Sequence, residues 1–415
     1  MDTSEKRFES DIESFLVSEA GGYEQFSYLN PDGHRIQKYV YDKEKAIYPE
    51  VLVNFIARSQ PKAWARYQKY YGDDAPEKLY RRFQTSVQEN GLVHVLKYGI
   101  EDMGIKLKVC FFKPESDLNE EQNELYKQNI LGCTRQFAYS KLNNNTMDMA
   151  LSVNGIPVVA LELKNQFMGQ DVDCAIEQFK NDRDPKEFCF RLNQRFLVYF
   201  AVDLYDVFMT TSLSGAATRF MPFNQGSNGA GVTGGKGNPV NPDGYATSYL
   251  WEKVLQHDSL LDLINKFISF VKEKEEVERA GQIRLVEKSK LIFPRYHQFD
   301  VVNKVVADVR QFGAGKSYLI EHSAGSGKSN SIAWIAYRLA SLHNADSQAV
   351  FDSVIVVTNR VVLDSQLQDT ISSFDHTPGL VEAIDDKKRS RGLIAAINDK
   401  KRIIICTKVN SLGEL

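Results

Sequence analysis

Phe8, Ile12 and Leu16 recur at helical spacing with Glu9 and Glu13 off their stripe, which predicts an amphipathic helix over residues 6–18. A looser apolar pattern within Lys45–Tyr71 predicts more helix, and residues 105–112 read as a strand. The segment Thr146–Lys164, TMDMALSV-NG-IPVVALELK, has two apolar runs around Asn154-Gly155 and predicts a β-hairpin. A helix is expected at about Val172–Asn181 and a very apolar strand at Phe196–Val202. The Gly-, Asn- and Pro-rich stretch Phe223–Tyr245 predicts a long loop. Helix is expected again from Tyr249 to about Lys274, and the charged run Lys272–Arg279 with Ala280-Gly281 reads as a boundary. After Phe293 the texture becomes strand–loop–helix alternation, the sign of a parallel α/β sheet. There Ser317–His322, Ser353–Thr358 and Arg402–Thr407 read as strands, the first of them buried, and a helix runs through Ile332, Ile335, Tyr337 and Leu339. The expected class is α/β throughout, in an N-terminal domain over 1–270, a linker over 271–290 and a second domain over 291–415.

Composition changes this picture little. A chain of 415 residues exceeds one ordinary core, and 43% hydrophobic with 25% charged residues is globular. Lys+Arg 51 less Asp+Glu 54 gives −3, so bulk charge does not advertise nucleic-acid binding, although a local basic face stays open. The five cysteines are scattered with no CxxC, which excludes a disulfide frame or zinc site of usual spacing and suits reduced thiols. The N-terminus is acidic without an apolar core, unlike a signal peptide, and Phe196–Val202 is too short to span a bilayer. A soluble cytoplasmic protein with no membrane partner is expected.

The strongest chemical signal is a phosphate loop. Ser323-Ala324-Gly325-Ser326-Gly327-Lys328-Ser329 stands between an expected strand and an expected helix. Glycines there let peptide N–H groups wrap phosphates at a helix N-terminus. Lys328 would reach the β- and γ-phosphates of ATP, and the Ser329 hydroxyl would hold Mg2+. The strict pattern asks for Gly where His322 stands. Gly313–Ser317 (GAGKS) and Gly229–Gly234 (GAGVTG) repeat parts of such motifs, but in the wrong order of elements, and read as turns. Upstream, the Gln298 amide suits an adenine edge and Tyr296 could stack on the base. Thr358 and Arg360, then Thr407 and Lys408, stand at strand ends suited to a DNA backbone; the plain alternative is ordinary polar strand ends.

The hairpin carries the second signal. Glu162 and Lys164 are two apart on one strand and share a face. Whether Asp148 joins them depends on the loop. A two-residue Asn154-Gly155 turn puts Asp148 opposite Leu161, on the wrong face, whereas a bulged three-residue Val153-Asn154-Gly155 loop puts it opposite Ala160, on the right one. We expect the bulged loop or an equivalent irregularity. Asp148 and Glu162, with the Leu163 carbonyl, would then bind Mg2+, and Lys164 would position or deprotonate a water and counter developing charge.

The phosphate loop in the form HSAGSGKS, followed by TNRVVLDSQL, resembles the superfamily 2 helicase-like motors of type I restriction motor subunits, in which a His at the place of His322 is usual. The D…ExK hairpin resembles the PD-(D/E)xK nuclease fold, which type I motor subunits carry N-terminal to the motor. The family follows it with Q-x-x-x-Y on a helix; Gln178 fits, and Asp182 stands at the Tyr place. Met209-Thr210-Thr211, Phe220–Gly226, Gly237-Asn238-Pro239 and Tyr249-Leu250-Trp251 also resemble the family. The resemblance implies a PD-(D/E)xK endonuclease domain (a mixed sheet flanked by helices) followed by a RecA-like lobe with a parallel sheet. It further implies ATP-dependent DNA translocation, metal-dependent double-strand cleavage, and methylase and specificity subunits as partners on double-stranded DNA. Gln178 would orient the nuclease site or touch DNA, and Glu9 or Glu13 would either add a carboxylate to it or be exposed helix charges. No DExH-like motif precedes Leu415, so a fragment or truncated product unable to hydrolyse ATP alone is expected. The competing readings are a type III-like nuclease–helicase fusion, which the N-terminal place of the nuclease disfavours, and an inactive DNA-binding or assembly module. A nucleotide kinase would leave the nuclease-like half unexplained.

Overall fold

Helices at the start of the chain stop where proline and glycine stop them. The computed structural model describes residues 5–29, 34–116, 118–279, 282–358, 371, 381–384 and 389–407. Helix α1 (Glu5–Leu16) buries Phe8, Ile12 and Leu16 as the periodicity predicts. The loose pattern over Lys45–Tyr71 resolves into α2 (Pro49–Ser59) and α3 (Pro61–Tyr71), because Pro61 cannot continue a helix but suits its first turn. Helices α4 (Ala75–Asn90) and α5 (Leu92–Tyr98) follow, separated at Gly91. Strand β1 (Glu24–Gln25) and the small hairpins β2–β3 (Ser27–Leu29, Arg35–Gln37) and β4–β5 (Ile100–Asp102, Ile105–Leu107) lie among them. The strand expected over 105–112 is thus only β5.

After α6 (Glu120–Lys127) come β6 (Leu131–Ala138), β7 (Thr146–Val153) and β8 (Ile156–Leu163). Helix α7 (Val172–Asn181), β9 (Val198–Val202), β10 (Val207–Thr210) and β11 (Met221–Pro222) complete a sheet of order β1-β6-β7-β8-β9-β10-β11. Pairs β1·β6 and β8·β9 are parallel and the others antiparallel, so the sheet is mixed. Every residue of β8 is buried, which explains its apolar run from Ile156 to Leu161 and makes the buried charge of Glu162 stand out. Helix α7 lands on its expected residues because the Asp171 carboxylate caps the Asp173 and Cys174 N–H groups. Its Ala175, Ile176 and Phe179 pack in a core with Ala160, Tyr199 and Ala201.

The helix expected over Tyr249–Lys274 is corrected. A π-helical turn at Leu250–Val254, α8 (His257–Asp262) and a second π-helical turn at Leu263–Phe267 are followed by strand. Strand β12 (Ser269–Arg279) pairs with β13 (Gln282–Ile292) over eleven rungs, so the stretch expected as a linker is a hairpin. The described chain divides into one compact unit of residues 1–113 and 121–293 and another of 114–120 and 294–415.

The second unit contains α9 (Tyr296–Phe312), α10 (Lys328–Ala340), the strands β14 (Val354–Thr358), β15 (Val381–Ile384) and β16 (Ile403–Thr407), and a helix at Arg389–Asn398. The three strands are parallel in the order β14-β16-β15, as the alternation predicts. Ala333, Ala336 and Ala340 of α10 pack on Ile403 and Ile405. Ser317–His322 differs from expectation: it pairs with no strand among the described residues, and Leu319 is 94% exposed. Without a ladder partner its backbone does not form a strand.

Candidate active site and phosphate loop

The hairpin solves its register in a way the sequence left open. Val153 pairs with Ile156, and Asn154 (φ 50°) and Gly155 (φ 84°) form the two-residue turn, not the bulged loop. Asn154 is buried and tied down: its side chain accepts from Ile130 N–H (2.7 Å) and donates to the Val109 carbonyl (2.9 Å). The register then shifts: Ser152 pairs with Pro157, but Leu151 pairs with Val159, leaving Val158 as the extra residue. Pro157 has no N–H to give a ladder, so a bulge beside it is natural. From Met149↔Leu161 the next rung sets Asp148 opposite Glu162. The irregularity needed to bring Asp148 to the face of Glu162 and Lys164 therefore exists, three residues from where the bulged loop would have put it.

Side chains from three elements converge there. Oxygens of Glu5 and Glu9 on α1 and of Asp148 on β7 all lie within 4.8 Å of one another, an arrangement able to hold a cation. Asp148 accepts from the Leu163 N–H (2.7 Å), which ties its carboxylate to β8. Lys164 is buried, with Nζ 3.6 Å from Glu5. Glu162 is fully buried; its Oε1 takes Nε (3.0 Å) and Nη2 of Arg183, and its Oε2 has no partner. Burial, and then the Asp148 charge, push the Glu162 carboxyl well above the ordinary carboxylate range. Burial and Asp148 also raise Glu9, whereas burial raises Glu5 against the pull of Lys164. The crowded carboxylates of Glu5, Glu9 and Asp148 fit a hard divalent cation, whereas Glu162 neighbours Asp148 but lies outside the group whose oxygens all meet within 4.8 Å.

Glu9 and Glu13 are not exposed helix charges. Both are buried, and Arg135 on β6 donates to Glu9 (3.0 Å) and Glu13 (3.1 Å). The signal was present: Glu5, Glu9 and Glu13 form a row at i, i+4 spacing, which repels itself unless a cation faces it. Gln136 next to it has φ 49° and gives its amide to Glu9 (2.8 Å) and Asp148 (3.4 Å), bridging α1 to the hairpin. Nothing in the sequence pattern marks Gln136 or Arg183. Gln178 is half-buried on α7, and the structure gives its side chain no bond to the carboxylates; its carbonyl accepts the Asp182 N–H (3.0 Å) that closes the helix.

In the second unit Gly325 (φ 72°) and Gly327 (φ 83°) adopt left-handed conformations, and α10 begins at Lys328 as expected. Lys328 Nζ donates to the carbonyls of His322 and Ser323, both at 2.9 Å. Ser323, Ala324 and Ser329 are exposed around it, and the Ser326 hydroxyl is buried without a partner. Gln298 does meet the loop: its Nε2 donates to Gly327 O (2.9 Å) and Ser326 O (3.2 Å), and its Oε1 accepts the Arg295 N–H (2.8 Å). Its amide is thus spent on backbone, and Tyr296 is buried rather than offered for stacking. His297 and His322 meet edge to face at 4.7 Å, and burial lowers both pKa values. Thr358 and Thr407 are cross-strand neighbours at the ends of β14 and β16, and the Thr358 hydroxyl has no partner. Arg360 and Lys408 lie outside the described residues.

Comparison with known proteins agrees with this division. Residues 6–228 match the family model of the type I restriction enzyme R protein N terminus, and residues 297–414 match that of the SWI2/SNF2 ATPase. The chain is similar to the type I restriction enzyme HindI endonuclease subunit of Haemophilus influenzae, at 29% identity over 248 residues. It is also similar to a Methanocaldococcus jannaschii protein assigned as type I restriction enzyme MjaVIIIP endonuclease subunit, at 26% over 259 residues. These matches cover 57% and 59% of this chain and 21% of each relative, so the chain spans about a fifth of the relatives' length.

Proposed function

The chain belongs to the family of the type I restriction enzyme R protein N terminus, and from that premise we propose that its first unit is a metal-dependent DNA endonuclease of the PD-(D/E)xK kind. What supports this is the group of Glu5, Glu9 and Asp148 within 4.8 Å of one another, with Lys164 Nζ 3.6 Å from Glu5 and the buried Glu162 neighbouring Asp148. Asp148 and Glu162 would hold Mg2+, with Glu9 and Glu5 as the carboxylates nearest to them. When bound, the cation would supply charge for the scissile phosphate and make a water acidic. Lys164, held beside Glu5, is the cation of the chain itself that would orient a water and counter charge on the phosphate. Arg135 and Gln136 would keep Glu9 and Asp148 in place.

The second unit would be the start of a RecA-like motor lobe. Ser323, Ala324, Gly325, Ser326 and Gly327 would cradle the phosphates of ATP, Lys328 leaving its carbonyl partners to meet them and Ser329 holding Mg2+. Paired Thr358 and Thr407 at parallel strand ends would touch a DNA backbone. The whole protein would couple ATP-driven translocation to double-strand cleavage in a cytoplasmic complex with methylase and specificity subunits. The test is nicking of supercoiled plasmid by this chain with Mg2+ or Mn2+. Metal-dependent nicking that falls about 100-fold or more in Lys164→Ala supports the reading. Nicking that survives both Lys164→Ala and Asp148→Ala overturns it.

A further inference from the structure

We propose that Arg183 is a positioning residue that fixes one oxygen of Glu162 so that the other stands ready for a divalent cation, an inference that rests on the endonuclease reading above. Arg183 follows the last turn of α7 and is 2% exposed. Its guanidinium is held on three sides. Nη2 donates to the Thr146 carbonyl (2.8 Å), Nη1 donates to the Tyr139 hydroxyl (3.3 Å), and the Tyr139 ring centroid lies 5.3 Å from its central carbon. Nε and the second N–H of Nη2 both go to Glu162 Oε1.

A guanidinium can grip a carboxylate by both oxygens, and the two-point fork is its commonest strong geometry. Here both donors converge on one oxygen, and the other is left buried without a partner. A glutamate side chain has three torsions, and anchoring one oxygen removes most of that freedom before any ligand arrives. Outer partners that orient a metal-binding carboxylate are ordinarily worth about 10- to 100-fold in metal affinity.

Two roles for Arg183 are separated by Arg183→Lys, which keeps the positive charge and loses the fork. If Arg183 merely balances charge, Arg183→Lys should bind Mn2+ as wild type does; if it positions Glu162, Arg183→Lys should bind more weakly. The experiment is Mn2+ titration by calorimetry on the full chain, with metal-free melting curves as the control for folding. Wild type, Asp148→Asn, Arg183→Gln and Arg183→Lys are compared. The proposal expects Arg183→Gln to bind about 10-fold or more weakly, with Arg183→Lys between it and wild type, since lysine keeps the charge but not the fork. Should Arg183→Gln fail to fold, Arg183→Lys decides alone, by weaker binding at an unchanged melting temperature. Affinity equal to or tighter than wild type in a folded Arg183 variant overturns the positioning role while leaving the endonuclease reading intact. No Mn2+ binding by wild type, or binding unaffected by Asp148→Asn, overturns both.

Discussion

At the scale of single residues, the site is a balance of buried charges that no local rule foretells. Arg135 holds two buried carboxylates, Glu9 and Glu13, and through Glu9 it sets the position of α1 over the hairpin. Removing one partner of a buried charge cluster leaves the others desolvated and unpaired, a loss of about 3–5 kcal/mol. Arg135→Met is therefore expected to lower unfolding stability by about that amount, measured as a shift in urea midpoint at constant slope. An unchanged midpoint would mean that the pair of ion contacts is not made in solution. Glu162 and Lys164 were legible as a pair because two-residue spacing on a strand fixes a shared face, whereas the face of Asp148 turned on a bulge that the sequence did not place. Arg183 and Gln136 were not legible, because their roles arise only when α1, β6 and the end of α7 are brought to the same place, and Glu9 was legible only as one of two alternatives. Glu162 is the clearest case: its spacing could be read, but its single-sided grip by Arg183 could not.

At the scale of elements, the hairpin β7–β8 decides whether there is a site at all. Its register depends on the turn and on the bulge at Val158. Gly155 is required twice over: φ is 84°, and a Cβ there would lie 2.6 Å from the Tyr48 carbonyl oxygen. Gly155→Ala should cost about 1–3 kcal/mol through backbone strain alone, with the carbonyl clash adding to it, read as a lower urea midpoint. Stability equal to wild type would show that the turn is built differently. The hairpin and α7 were legible because Asn-Gly and an Asp171 cap are local signals. The helix expected up to Lys274 was misread for the opposite reason. Lys and Glu in β12 favour helix locally, but eleven rungs with β13 override that preference. Ser317–His322 shows the same limit from the other side, since an apolar run becomes a strand only where a neighbour supplies the ladder.

At the scale of the whole molecule, the first unit closes after β13 rather than before it. Phe293 packs against Phe200 and Phe223 at ring-centroid distances of 6.0 and 6.1 Å, and Thr211 donates to the Leu291 carbonyl. A fragment ending at residue 293 should thus melt cooperatively, while one ending at 270 loses these contacts and the partner of β12. Equal melting temperatures for the two fragments would contradict the unit boundary. The parallel sheet of the second unit was legible from its alternation of strand, loop and helix. The proposed division of labour assigns a cation to the hairpin of the first unit and a phosphate to the loop of the second. Its nuclease half rests on whether carboxylates from α1, β7 and β8 share one ion. The direct measurement is anomalous diffraction from crystals of the chain grown with Mn2+. The account predicts a peak within coordination distance of both Asp148 and the free oxygen of Glu162; binding of Mn2+ elsewhere on the molecule, with these two carboxylates unligated, would contradict it.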